Sequence, residues 1–88
     1  MTYFTTRRFW SCYNKLPPNI RSLADKSFRL LKQNPQHPSL QLKQIRQYWS
    51  ARVGLYYRAL GINAPDQKGI IWFWIGNHPE YERLLRKT

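Results

Sequence analysis

The chain has 88 residues, enough for one domain over residues 1–88 with a single core, and its fourteen aromatic side chains exclude a disordered chain. Fifteen Lys and Arg stand against four Asp and Glu, a net charge of +11 that leaves most cations facing solvent or an external polyanion. The single cysteine, Cys12, excludes an internal disulfide, and one Cys with two His supplies no metal-ligand spacing.

The N-terminal "MTYFTTRRFW" lacks the apolar core of a signal peptide. Within it, residues 2–5 suit a short strand, and Thr5 or Thr6 suits the cap of a helix that follows. Phe9, Tyr13 and Leu16 recur at helical spacing, and Pro17-Pro18 ends that helix. A second helix is predicted over 18–33. Ile20, Leu23, Ala24, Phe28 and Leu31 form its apolar stripe, Pro18 suits its first turn, and Asn34-Pro35 stops it. The two helices should form a hairpin. Residues 33–44, with two prolines, read as a loop running into a strand or extended arm. Trp49, Ala51 and Val53 then alternate with Tyr48, Ser50 and Arg52, the period of a strand. Gly54 allows a turn, "YYRALGI" (56–62) is the next strand, and 63–69 is a turn-rich loop. "IIWFWI" (70–75) is apolar on both faces, as a central strand should be, and is far too short to cross a bilayer. Residues 78–86 form a short last helix. The expected architecture is α+β: a mainly antiparallel, four-stranded twisted sheet with an N-terminal helical hairpin on one face, in the order β-α-α-β-β-β.

Nine of the fifteen cations are Arg, which favours bidentate phosphate contacts. Nucleic acid is therefore the leading partner class, an acidic protein the next, and a membrane surface a distant third. If Trp49, Ala51 and Val53 face the helices, Arg52 points the other way with Tyr48 and Ser50, and Arg58 shares that face with Tyr56. Cations with aromatic planes are what single-stranded RNA binders use. In "GNHPEYERLL", Asn77 or His78 fits a helix cap, Pro79 the first turn, and Glu80 and Glu82 the positive helix end. The same position, at a strand end, lets the sheet deliver His78 beside Arg58 as a proton-transfer group. His37 reads as a loop residue and Asp66 as a turn residue. No Gly-rich phosphate loop, paired-carboxylate site or other cofactor motif is visible. The expectation is a cytoplasmic protein with no metal, cofactor or membrane contact.

The element order, "LADKSFRLLKQNPQHPSLQLKQI", "YWSARVGLYYRALG" and "IIWFWIGNHPEYERLL" resemble, over nearly the whole chain, the RelE/ParE superfamily of toxins from type II toxin–antitoxin systems. The resemblance implies an acidic antitoxin partner and one of two targets. RelE-like members cleave messenger RNA on the ribosome, and ParE-like members inhibit DNA gyrase without chemistry. Carried over residue by residue, Arg58 would stabilise the pentavalent phosphate and His78 would serve as general acid or base. Arg52 would grip RNA backbone, and Tyr81 falls near an aromatic that stacks or positions a base. Ser50 stands about where some nucleases of the family carry a second cation, and no carboxylate is evident on the strand face.

Overall fold

Proline and threonine set the N-terminal boundaries. In the computed structural model, which describes residues 2–66 and 68–87, a first strand β1 (Thr2–Thr5) leads to helix α1 (Arg7–Asn14). The Thr6 hydroxyl caps α1 by accepting from the Phe9 N–H at 3.1 Å. Pro18 opens helix α2 (Pro18–Gln33), where its missing N–H costs nothing. A 3-10 turn at Pro38–Leu40 follows, capped by His37, whose Nδ1 accepts from the Ser39 N–H. The remaining strands are β2 (Lys43–Ile45), β3 (Tyr48–Val53), β4 (Tyr57–Asn63) and β5 (Gly69–Asn77), and helix α3 (His78–Arg86) closes the chain.

The sheet has five strands in the order β1-β5-β4-β3-β2, one more than expected. The addition is β2, the extended arm after the prolines, which pairs antiparallel with β3 at the sheet edge. Its three residues carry no alternation long enough to decide between a strand and an extended arm. β1 runs parallel to β5, and the other pairs are antiparallel.

Both sheet faces are covered. On one face α1 packs on β5 and α2 on β3, burying Leu31, Ala51, Val53, Ala59, Ile70, Trp72 and Ile75. The helices do not close on each other, and an apolar groove of about 300 Å³ opens between them. The Tyr13 hydroxyl donates to Asp25 across it at 2.8 Å, and this bond to a carboxylate, with partial burial, holds the phenol above its ordinary pKa. On the opposite face Tyr81 of α3 packs with Leu60 and Trp74 in a second, smaller core.

Strand β5 serves both cores by breaking its own alternation. Ala59 pairs with Ile75 and Leu60 with Trp74, but Gly61 pairs with Trp72, so Phe73 is an extra residue in β5. This bulge reverses the phase of the strand. Ile70 and Trp72 face the helical hairpin before it, and Ile75 does so after it. Trp74 is thereby free to enter the second core, and Gly76 comes opposite Arg58.

Gly61 sits at the bulge because nothing larger fits. A Cβ there would lie 2.6 Å from Ile70 Cγ2 and 3.0 Å from the Ile71 carbonyl oxygen. Gly61→Ala should destabilise the fold by about 1–3 kcal/mol, read as a lower urea midpoint. An unchanged midpoint would mean that the bulge tolerates a side chain and is not sterically fixed.

Candidate functional site

The turn joining β3 to β4 and the end of β5 meet beside α3. Gly54 enters that turn with φ +62°, a conformation glycine adopts freely. The Tyr56 carbonyl at its end accepts the His78 N–H at 2.7 Å. Asn77 is the cap of α3, its side chain accepting from the Glu80 N–H at 3.0 Å, which leaves the His78 side chain without a capping duty. The β5–α3 junction is therefore tied by one backbone hydrogen bond and one side-chain cap, and His78 projects from a rigid corner.

Beside that corner lies a cleft of about 420 Å³ lined by Arg58, His78, Tyr81, Glu82, Lys43 and Arg86, with Ile45 and Leu85 as apolar walls. Arg58, His78 and Tyr81 thus come together, from the start of β4 and the start of α3. The guanidinium of Arg58 donates to Ser50 Oγ at 3.3 Å and Gln41 Oε1 at 3.0 Å, and lies over the Tyr81 ring, 5.5 Å from its centroid. Its partners are neutral acceptors and a π face. Among the described residues no carboxylate pairs with it, so its charge remains available to an anion. The His78 ring lies 5.5 Å from the same Tyr81 ring, and its Nδ1 is 3.3 Å from Glu82 Oε1.

Two residues expected in the site stand apart from the cleft. Arg52 faces Arg58 directly across the β3–β4 pair, but its Nε donates back to the Gly54 carbonyl at 2.8 Å. That contact separates two like charges which would otherwise repel. Tyr56 belongs to the turn rather than the strand, is 71% exposed, and does not line the cleft. Tyr81 lines it but is only 4% exposed. It is a floor for Arg58 rather than an open platform for a base, because a base on that face would have to displace the guanidinium.

The sequence reading missed Lys43, Arg86 and Glu82. Lys43 arrives on β2, at the end of the segment left open between strand and extended arm. Arg86 and Glu82 come from the helix, whereas carboxylates and cations were sought on the strand face. The usable signal was the spacing: Glu82 follows His78 by four residues, one helical turn. Ser50 is no substitute cation. It is fully buried, and its hydroxyl positions Arg58.

No family model matches the sequence, and neither does any curated protein. Solved structures do. A chain of a RelBE toxin–antitoxin complex from Mycobacterium tuberculosis superposes with a TM-score of 0.67 at 23% identity, over 88% of this chain and 96% of that one. A chain of the RelB–RelE antitoxin–toxin complex from Methanococcus jannaschii gives 0.65 at 21% identity, over 92% and 96%. The chain has the RelE/ParE toxin fold. A YoeB/ParE toxin from Agrobacterium tumefaciens shares the fold too, with a TM-score of 0.66 at 15% identity, over 89% of this chain and 99% of that one. In this RelE-like fold the cleft lies on the sheet face opposite the helical hairpin.

The burial of Tyr81 has a measurable consequence. Tyr81→Ala should cost about 3–5 kcal/mol by emptying the second core, and Tyr81→Phe far less. Equal stability of the Ala variant and the parent would remove Tyr81 from the core.

Proposed function

We propose that this RelE-like protein is the toxin of a type II toxin–antitoxin system and that it cleaves messenger RNA on the ribosome, arresting translation. The observation that carries the reading is the cleft: an arginine with no carboxylate partner among the described residues and an imidazole share one basic pocket around a common aromatic floor. Phosphodiester cleavage by a neighbouring ribose hydroxyl needs these parts. His78 accepts the 2′-hydroxyl proton as that oxygen forms a bond to phosphorus. The bond from phosphorus to the 5′-oxygen breaks, leaving a 2′,3′-cyclic phosphate, and the departing oxygen takes a proton from water. Arg58 donates to the phosphoryl oxygens as their charge grows, and Lys43 and Arg86 hold the flanking backbone.

The test is expression in growing cells with mapping of message cuts. The wild type should arrest translation and cut messages within codons. His78→Ala should lower cleavage by roughly a hundredfold to ten-thousandfold, and Arg58→Ala by about a hundredfold to a thousandfold. Full toxicity in both variants would sink the assigned chemistry. DNA damage with intact messages would point instead to gyrase, the target of ParE-like toxins.

The partner in this reading is an acidic antitoxin, an amphipathic segment that folds on binding. The groove between α1 and α2 suits its apolar side chains. Its lining is mainly apolar, Trp10 and Phe28 stand exposed at its rim, and the surrounding chain carries +11. Trp10→Ala combined with Phe28→Ala should weaken capture of the acidic protein encoded beside this gene about tenfold or more, leaving cleavage intact. Undiminished capture would place the antitoxin elsewhere.

A further inference from the structure

The chain has four Asp and Glu side chains, and three of them do not line the cleft. Asp25 accepts from Tyr13, Asp66 accepts the Lys68 N–H at 3.0 Å, and Glu80 lies in the first turn of α3. The fourth, Glu82, is the one carboxylate lining the cleft. Arg86 lies four residues further along the same helix, a natural ion-pair partner. Among the described residues the carboxylate does not pair with it, and its Oε1 lies 3.3 Å from His78 Nδ1 instead. The other charged groups around the imidazole are cationic: Arg58 from β4, Lys43 from β2 and Arg86 from α3 itself.

From this geometry we infer that Glu82 is a positioning residue that holds His78 with its proton on Nδ1 and so presents an unprotonated Nε2 to the cleft. An ionised carboxylate accepts hydrogen bonds and cannot donate one, so this 3.3 Å approach favours hydrogen on the nitrogen facing it. In the neutral ring the other nitrogen then keeps its lone pair, which is the state a general base requires. Glu82 also offsets the positive charge that appears on the ring when His78 takes a proton among three cations. A carboxylate orienting an imidazole serves the serine-hydrolase triad in the same way. Here carboxylate and imidazole sit one helical turn apart, so the α3 backbone sets their geometry.

The placement of the proton stands on the Glu82–His78 contact alone. Its consequence for cleavage rests on the ribonuclease reading, so the experiment has two arms. In the first, nitrogen-15 imidazole spectra of the full-length protein at alkaline pH should show the Nδ1–H tautomer of His78. Glu82→Ala should shift it toward Nε2–H, and Glu82→Gln, whose amide oxygen still accepts, should restore it. In the second, ribosome-dependent cleavage should fall roughly ten- to a hundredfold in Glu82→Ala. It should recover only partly in Glu82→Gln, which lacks the charge. Glu80→Ala, which removes the same charge two residues away, should cleave as the parent does. A parent protein dominated by the Nε2–H tautomer overturns the inference, as does a Glu82→Ala variant that keeps both tautomer and rate. A parent that shows the tautomer and its loss in Glu82→Ala, but never cuts RNA, leaves the positioning role standing and removes the ribonuclease reading.

Discussion

The extra residue in β5 is the constraint on which the rest of the structure depends. Side chains alternate along a strand with period two, so one inserted residue sends everything after it to the other face. Before Phe73, even-numbered residues of β5 face the helical hairpin, and after it odd-numbered ones do. Without that change Trp74 would compete with Trp72 for one core, and the second core beneath α3 would lose its largest side chain. Gly76 would turn away from Arg58, and the strand would deliver His78 toward the wrong face. A packing irregularity thus sets both the stability of the second core and the composition of the cleft.

The two faces of the sheet are specialised as a result. The helical face holds the larger core and an incompletely closed groove, because α1 and α2 rest on different strands. The opposite face holds a small core whose outer layer is charged. There, Arg58 is oriented by two neutral acceptors and an aromatic floor, and His78 by a backbone hydrogen bond and a carboxylate. A chain of +11 self-repels, and gathering Arg58, Lys43 and Arg86 at one cleft adds to that cost. Such an arrangement is understandable if a polyanion occupies the cleft, which is the sense of the proposed function.

Much of this was legible in the sequence. The Pro17-Pro18 pair, the Thr6 cap and the Asn77 cap mark helix ends, and the Trp49–Ala51–Val53 alternation correctly assigned the helical face. Arg58 followed from that parity. His78 did not follow from parity at all. Counting by twos from Trp72 sends it to the hairpin side, and only the bulge corrects the count. A bulge leaves little trace in a run where every residue is apolar. The end of the 33–44 segment stayed open between strand and extended arm for a different reason: three residues cannot display a period. Glu82 was visible by its spacing from His78, but in the sequence it reads as a complement to the helix dipole, whereas only Glu80 lies in the first turn of α3. Tyr56 and Arg52 were assigned by strand parity, which does not report that one lies in the turn and the other bends back to it.

The central claim is that one phosphate sits between Arg58 and His78. It is tested most directly by a structure of the protein on a ribosome carrying a message whose scissile 2′-hydroxyl is methylated to block attack. The account predicts the scissile phosphate in hydrogen-bond contact with the Arg58 guanidinium. It also predicts the blocked 2′-oxygen at about 3 Å from His78 Nε2, with Nδ1 still turned to Glu82. A message that runs along the opposite, helical face, or a phosphate out of reach of both side chains, would contradict it.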